Sequence, residues 1–125
     1  RSYLQRLYYE YKQKQDAQQL IIEKAENWNK IIIFGAGQCG NRLYILLHKN
    51  GVKSVVGFCD NDEKMQKEQL FGKDILSLEE SKRLYPDALY IIANEFHYMD
   101  IARQLKKADI SNERIEYYLF TGMEY

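Results

Sequence analysis

The feature that most constrains the fold is a β-strand pattern that runs directly into a glycine motif. Three isoleucines and Phe34 are followed by residues 35–40, whose sequence GAGQCG has the form G-x-G-x-x-G. Apolar residues then recur with a helical period over residues 38–50. A short apolar, β-branched run is typical of a strand that is buried on both faces of a parallel sheet. The pattern therefore predicts a strand, a tight turn and a helix packed against that strand.

Strand and helix patterns continue to alternate along the rest of the chain. Residues 63–73 are polar and are predicted to form a surface loop. Strands that alternate with helices form a parallel sheet with right-handed crossovers, so we expect a three-layer α/β fold with about five parallel strands. Ligands of such sheets bind at the carboxyl ends of the strands, near the point where the strand order reverses. The other predicted strands span residues 52–59, 74–76, 88–93 and 115–119, and the other predicted helices span 77–84 and 98–108.

A long helix is predicted before this α/β unit. Residues 2–28 contain neither Gly nor Pro and have apolar residues near helical spacing at both ends, with a polar stretch over 12–19. We therefore divide the chain into an N-terminal helix or linker, residues 1–29, and an α/β domain, residues 30–125. The favoured interpretation is a helix that packs on the domain or links it to other domains of a longer parent chain. The alternative is a homodimer through this helix, although the polar stretch interrupts the apolar seam of a coiled coil.

Composition excludes several classes of partner. Lys plus Arg and Asp plus Glu each number 18, so the net charge is zero, which argues against a broad surface for nucleic acid. No apolar run approaches the roughly 18 residues that a membrane span needs. Cys39 and Cys59 are too few for a secreted disulfide scaffold, their spacing suggests no metal site, and no signal peptide is recognisable. We therefore expect a cytoplasmic protein.

The glycine motif predicts a phosphate site at the start of the first helix of the α/β unit. Gly35 suits the tight turn, Gly37 leaves room for a phosphate, and Gly40 lets the helix approach the strand closely. The first N–H groups of the helix would face a pyrophosphate, with the helix dipole adding attraction. The alternative is a compact turn that binds nothing. The residues expected to bind the ligand here are Gly35, Ala36, Gly37, Gln38, Cys39 and Gly40.

Polar residues that follow two other predicted strands extend this candidate site. Asp60 directly follows the strand 52–59. A carboxylate at this position can accept hydrogen bonds from ribose hydroxyls and repel a 2′-phosphate, which favours NAD over NADP. Asn61 follows Asp60, and the alternative is that residues 60–62 only cap a turn. Asn94 and His97 follow the strand 88–93. His97 is a candidate general base or phosphate contact, and the alternative is a helix cap or a solvated side chain.

Four segments together resemble a Rossmann-like domain that is common in bacterial surface-polysaccharide enzymes: residues 31–40, 56–62, 71–75 and 90–93. Similar domains occur beside glycosyltransferase and methyltransferase domains, at the front of nucleotide-sugar dehydratases and as the UDP-sugar-binding half of sugar acetyltransferases. The resemblance extends over about residues 30–119. It implies a Rossmann-like sheet with a nucleotide or nucleotide-sugar site at Gly35, Gly37, Gly40 and Asp60. The acetyltransferases usually have a histidine in the glycine loop, where this chain has Gln38 and Cys39.

The sequence indicates binding more clearly than catalysis. Tyr8 and Lys12 have the Tyr-x-x-x-Lys spacing of short-chain dehydrogenases, but they precede the glycine motif, so we reject them as catalytic residues. Cys39 lies at a helix N-terminus, where the dipole can lower a thiol pKa, although a buried packing role is the favoured interpretation. No P-loop lysine follows the glycines, which excludes that class of ATPase.

The favoured function is an accessory nucleotide-binding domain excised from a larger bacterial polysaccharide or glycan biosynthesis enzyme, such as a glycosyltransferase. Its partner would be a nucleotide-type small molecule, either NAD-like or a nucleotide-sugar. One alternative is the cofactor-binding half of an NAD-dependent nucleotide-sugar oxidoreductase or epimerase. The other alternative is an interaction scaffold that keeps the fold without a ligand.

Overall fold

The computed structural model describes residues 2–119 and has an α/β architecture. Most predicted elements are present, with bounds that differ by a few residues from those predicted. The helices are α1 (Tyr3–Glu26), α2 (Gln38–Lys49), α3 (Leu78–Leu84) and α4 (Tyr98–Lys107), with short 3-10 helices at Met65–Lys67 and Asn112–Arg114. The strands are β1 (Ile31–Phe34), β2 (Val55–Cys59), β3 (Gln69–Leu70), β4 (Lys73–Leu76), β5 (Leu89–Ile92) and β6 (Ile115–Tyr117).

The strands form one mostly parallel sheet in the order β3-β4-β2-β1-β5-β6. Every neighbouring pair is parallel except β3 and β4, which form an antiparallel edge. The prediction of about five parallel strands was therefore incomplete, since the sheet has six described strands and is mixed. The prediction of a loop over residues 63–73 was wrong, because this segment contains a 3-10 helix and β3.

The strand order reverses between β1 and β5. β1 pairs with β2 on one side and with β5 on the other, with Ile33 opposite both Phe58 and Ile91. Chain segments that leave β1, β2 and β5 therefore emerge side by side at the same edge of the sheet. These segments are the glycine turn, the turn at Asp60 and the turn at Asn94, so the fold brings the predicted polar residues into one neighbourhood.

Helices cover both faces of the sheet and produce two apolar cores. On one face, α1 and α2 pack against side chains such as Ile33 and Phe58. On the other face, α4 packs against Phe34 and Tyr90. All four residues of β1 are buried, as expected for a strand between two helical layers.

The two halves of α1 differ in burial. Its C-terminal half contributes Ile21, Ile22 and Ala25 to the core beside α2, whereas Tyr3 and Leu4 in its first turn are exposed. The helix begins with a capping box between Ser2 and Gln5. The C-terminal end of α1 thus packs on the sheet. Arg1 and residues 120–125, which the predicted division assigned to the helix segment and the α/β domain, lie outside the described residues. Among the residues that are described, no helix combines the length and apolar character that a membrane span requires.

Candidate functional site

The inner side of the glycine turn is fully occupied by neighbouring backbone. Gly35 has φ +125°, and a Cβ at this position would collide with the carbonyl oxygen of Ala93. The Gly35 N–H donates to the Cys59 carbonyl over 2.7 Å. A Cβ on Gly40 would collide with the carbonyl oxygen of Gly35. Both positions require glycine because β2, β5 and α2 approach the turn closely.

The outer side of the same turn is open. Gly37 is the N-cap of α2 with φ −88° and ψ −154°, and a Cβ here would meet no atom within 4 Å. Having no side chain, Gly37 provides no capping hydrogen bond, in contrast to Ser77, whose Oγ accepts from Glu80 N–H at the start of α3. The first N–H groups of a helix have no intrahelical acceptor. The start of α2 therefore presents donors and a positive dipole end beside open space.

Asp60 connects the glycine turn to the end of β2. Its Oδ2 accepts a hydrogen bond from Ala36 N–H and its Oδ1 accepts one from Asp62 N–H, both over 2.9 Å. The side chain is half-buried. An ionised carboxylate has about four acceptor positions, so both oxygens can accept further hydrogen bonds. Asp60 stabilises the turn in this geometry and still presents acceptor positions at the carboxyl edge of the sheet.

Asn94 builds the turn that follows β5. Its Oδ1 accepts from the N–H groups of Phe96 and His97, each over 3.0 Å. This Asx-type turn leads the chain into α4. His97 is exposed, and no described residue forms a hydrogen bond with its imidazole ring. Asn94 thus has a clear role in the backbone geometry of the site.

The thiol of Cys39 faces the protein interior. Its Sγ donates to the Tyr118 carbonyl over 3.2 Å, and the residue is buried. Burial, with a smaller contribution from the negative charge of Glu95, raises the pKa of this thiol to about 11. The net shift of the pKa is opposite to the lowering that a helix dipole can cause, because desolvation disfavours the thiolate, and the burial agrees with the packing role favoured from the sequence. Cys39 can contribute only its backbone to a ligand at the turn.

Two adjoining clefts open at this edge of the sheet. The glycine-turn cleft, of about 300 Å³, lies beside the start of α2, and the α4-side cleft, of about 320 Å³, lies between β2 and α4. Of the predicted residues, Gly35, Asp60 and Asn94 line both clefts. Gly37, Gln38 and Cys39 line the glycine-turn cleft, and Asn61 and His97 line the α4-side cleft. Ala36 and Gly40 line neither cleft; both are buried, and they take part through backbone contacts.

Sequence analysis missed several residues that line these clefts. Positions 97, 100, 101 and 104, at the N-cap of α4 and along it, follow helical spacing, which could have identified one face of the helix as part of the site. Met65 had no such signal, because it lies in the segment that was predicted to be a loop. The additional residues are Met65, Glu95 and Phe96 in the glycine-turn cleft, and Phe34, Asp100, Ile101 and Gln104 in the α4-side cleft.

The charged side chains that line the two clefts are acidic. They are Asp60, Glu95 and Asp100, and no lysine or arginine from residues 2–119 lines either cleft. A larger cavity of about 640 Å³ lies between α1 and α2 and is lined by Lys14, Arg42 and Lys49. Of the glycine motif, only Gln38 lines that cavity, and the three glycines do not. In the clefts, an anionic ligand group would be stabilised by helix N–H groups rather than by side-chain cations.

The comparisons with known proteins give one family assignment. A family model described as C2185-like, N-terminal matches residues 27–116, well over half of the chain. The chain belongs to this family. The match to the C2185-like N-terminal family begins just after α1 and includes every strand through most of β6. It thus includes both clefts. No match to a curated protein was found.

Proposed function

We propose that this chain is an accessory nucleotide-binding domain of a larger bacterial polysaccharide or glycan biosynthesis enzyme, such as a glycosyltransferase. The observation that carries the proposal is the open space at Gly37. This space lies between the start of α2 and the Asp60 carboxylate, at the point where the strand order reverses. Donors for a phosphate and acceptors for sugar hydroxyls are adjacent there, as a nucleotide requires.

The sheet topology supports a Rossmann-like interpretation of the fold. When only the parallel strands are numbered along the chain, the observed order is 3-2-1-4-5. This is the order of the first five strands in doubly wound nucleotide-binding sheets, whose ligands bind at the reversal. The glycine turn follows the first strand of this series and Asp60 follows the second, which are the positions such a ligand uses.

The proposed mechanism is recognition without catalysis. A pyrophosphate would bind the N–H groups at the start of α2, and a ribose would donate hydrogen bonds to Asp60. The base would lie in the α4-side cleft, whose walls include Phe34 and Ile101. A 2′-phosphate would be repelled by Asp60, so the ligand would be NAD or a nucleotide-sugar rather than NADP.

A ligand-free interaction scaffold is the second candidate, and one observation favours it. Both oxygens of Asp60 already accept backbone hydrogen bonds, so the turn is stable without a ligand. The exposed Leu4 and Tyr8 on α1 would then be part of the docking surface. The two candidates differ in one respect that is easy to measure, which is whether a nucleotide stabilises the protein.

A thermal-shift panel tests the proposal. The ligands are NAD, NADP, UDP, UDP-N-acetylglucosamine, CDP and S-adenosylmethionine. A ligand at 100 times its Kd stabilises the folded state by about 2.7 kcal/mol, which shifts the Tm of a domain of this size by several degrees. We expect a shift with NAD or a nucleotide-sugar and a smaller one with NADP. If no ligand shifts the Tm, the scaffold becomes the better interpretation.

The Gly37→Val variant locates the site. The added side chain would fill the space that the phosphate needs, and the backbone at Gly37 is in an extended region that valine adopts readily. We expect the ligand-induced shift to disappear while the protein still folds, with a Tm lower by a few degrees because valine is a poorer N-cap than glycine. Gln13→Val, which introduces the same side chain at an exposed position of α1, is the control and should keep the full shift. Binding that survives in Gly37→Val would exclude the glycine turn as the site.

A further inference from the structure

Two amide side chains join opposite walls of the α4-side cleft. Asn61 Nδ2 donates to Gln104 Oε1 over 2.9 Å, and Gln104 Nε2 donates back to Asn61 Oδ1 over 3.0 Å. One residue follows β2 and the other lies on α4, so the pair connects segments that are 43 positions apart in the chain. Both side chains line the cleft. The cleft therefore has a pair of amides at its polar rim.

Two of the other residues that line this cleft are apolar. Phe34 is 1% exposed and Ile101 is 5% exposed, so both belong to the core that bounds the cleft. Gly35 and Asp60 form the side towards the glycine turn. A cleft of about 320 Å³ with an apolar floor and amides at its rim suits a flat heterocycle that carries polar atoms along one edge.

Each amide of the pair can exchange its hydrogen bond to the other amide for one to a ligand at little cost in free energy. Each amide presents one donor group next to one acceptor, and the edge of a nucleobase presents the same arrangement. The pair is solvent-exposed, where a hydrogen bond contributes little net stability because water offers a similar partner. A base edge could thus exchange with the pair, accepting a hydrogen bond from one amide and donating one to the other.

We propose that Asn61 and Gln104 form the base-reading element of the site, and that they hydrogen bond to the edge of a nucleobase lying on Phe34 and Ile101. This inference rests on the proposed nucleotide-binding function and adds to it the residues that select the base. The recognised chemistry is an adjacent donor and acceptor on a planar ring. Adenine offers it through its 6-amino group and a ring nitrogen, and uracil offers it through N3–H and a carbonyl oxygen.

The test measures whether one amide side chain and one hydrogen-bonding group of the ligand contribute to affinity by contacting each other. Affinities of the full chain are determined by NMR titration for two nucleoside pairs, adenosine with purine riboside and uridine with 3-methyluridine. Purine riboside lacks the 6-amino group, and 3-methyluridine lacks the N3–H donor. We expect wild-type protein to prefer one parent nucleoside over its analogue by about tenfold, and the pair that shows this preference identifies the base.

The Gln104→Leu variant then removes one amide at similar side-chain size. We expect Gln104→Leu to bind the parent nucleoside and its analogue with about equal affinity. The ligand group that the analogue lacks then has no partner on the protein. Asn61→Leu should behave in the same way. Gln13→Leu makes the same chemical change on an exposed face of α1 and should keep the tenfold preference.

The outcomes separate this inference from the proposed function. If Gln104→Leu weakens the parent nucleoside and the analogue equally, the pair is only a latch between β2 and α4, and the inference is overturned. It is also overturned if wild-type protein binds both members of each pair with equal affinity. If no nucleoside or nucleotide binds wild-type protein, the proposed function itself fails.

Discussion

The glycine turn has two sides that differ in what surrounds them. On the inner side, Gly35 and Gly40 are in such close contact with backbone carbonyls that a methyl group would collide with them. On the outer side, Gly37 faces open space. The three glycines of one sequence motif therefore serve two different physical roles. Two of them permit close packing, and the third leaves a volume that a ligand can occupy.

The largest effect is expected from filling the inner side. Gly40→Ala should lower the free energy of unfolding by about 3 kcal/mol, because α2 must move away from the carbonyl of Gly35, and this outweighs the better helix propensity of alanine. Gly37→Ala should lower it by only about 1 kcal/mol, because no atom obstructs the new Cβ and alanine is merely a poorer N-cap than glycine. Urea unfolding of both variants measures the difference. Equal stability of the two variants would remove the distinction between the two sides.

The next effect concerns Asp60, the hydrogen-bond acceptor beside the open outer side of the glycine turn. Asp60→Asn should weaken NAD binding by about 1–3 kcal/mol, because a neutral amide is a poorer partner for the ribose hydroxyls. It should also destabilise the fold by about 1 kcal/mol, since one of the N–H groups of Ala36 and Asp62 loses its charged acceptor. Asp62→Asn removes the same charge from a residue that lines neither cleft, so it is the control for isothermal titration. Equal NAD affinity of Asp60→Asn and wild type would exclude ribose recognition by Asp60.

The last effect comes from the thiol on the inner side of the first turn of α2. Burial raises the pKa of Cys39 to about 11, above the value of 9.0 for an exposed thiol. The unfolded chain therefore loses this proton at a lower pH than the folded protein. The stabilising contribution is complete below pH 9 and is lost as the pH rises from about 9 to about 11.

Urea unfolding between pH 8 and pH 10.5 measures this contribution. The free energy of unfolding should fall more steeply with pH in wild type than in Cys39→Ala, which has no thiol to titrate at this position. The comparison with this variant is needed because Cys59, Tyr90 and Tyr118 also have raised pKa values. Identical slopes would mean that the Cys39 thiol is exposed to solvent, contrary to its position beneath the turn.

The missed strand β3 illustrates a limit of sequence analysis. Residues 63–73 show neither alternation nor an apolar run, so no local signal predicts a strand there. The strand forms because a tight turn at Phe71 and Gly72, with φ values of +52° and +74°, returns the chain alongside β4. The Phe71 ring stacks on Tyr44 of α2 with 4.4 Å between ring centroids. Contact with a distant helix thus stabilises a backbone conformation that phenylalanine disfavours locally.

The residues of the candidate site likewise divide into those that local sequence predicts and those that only the fold brings together. The glycine turn and the start of α2 were predictable, because a strand, three glycines and a helix pattern are contiguous in the chain. Asp60 was predictable because it directly follows a strand that could be recognised. The pairing of Gln104 with Asn61 was not, because the two residues are 43 positions apart and only the packing of α4 brings them together. Phe34 was recognised as a strand residue, but its position beneath a cleft depends on that same packing.

The sequence by itself determined the alternation of strands and helices, the glycine turn and the acidic residue at the end of the second strand, because hydrophobic periodicity and glycine stereochemistry act over a few neighbouring residues. Tertiary structure decided the edge strand β3, the orientation of Cys39 and the amide pair of the α4-side cleft. Each of these depends on contacts between segments far apart in the chain. The energies of such contacts arise from burial and close approach, which no local pattern of residues records.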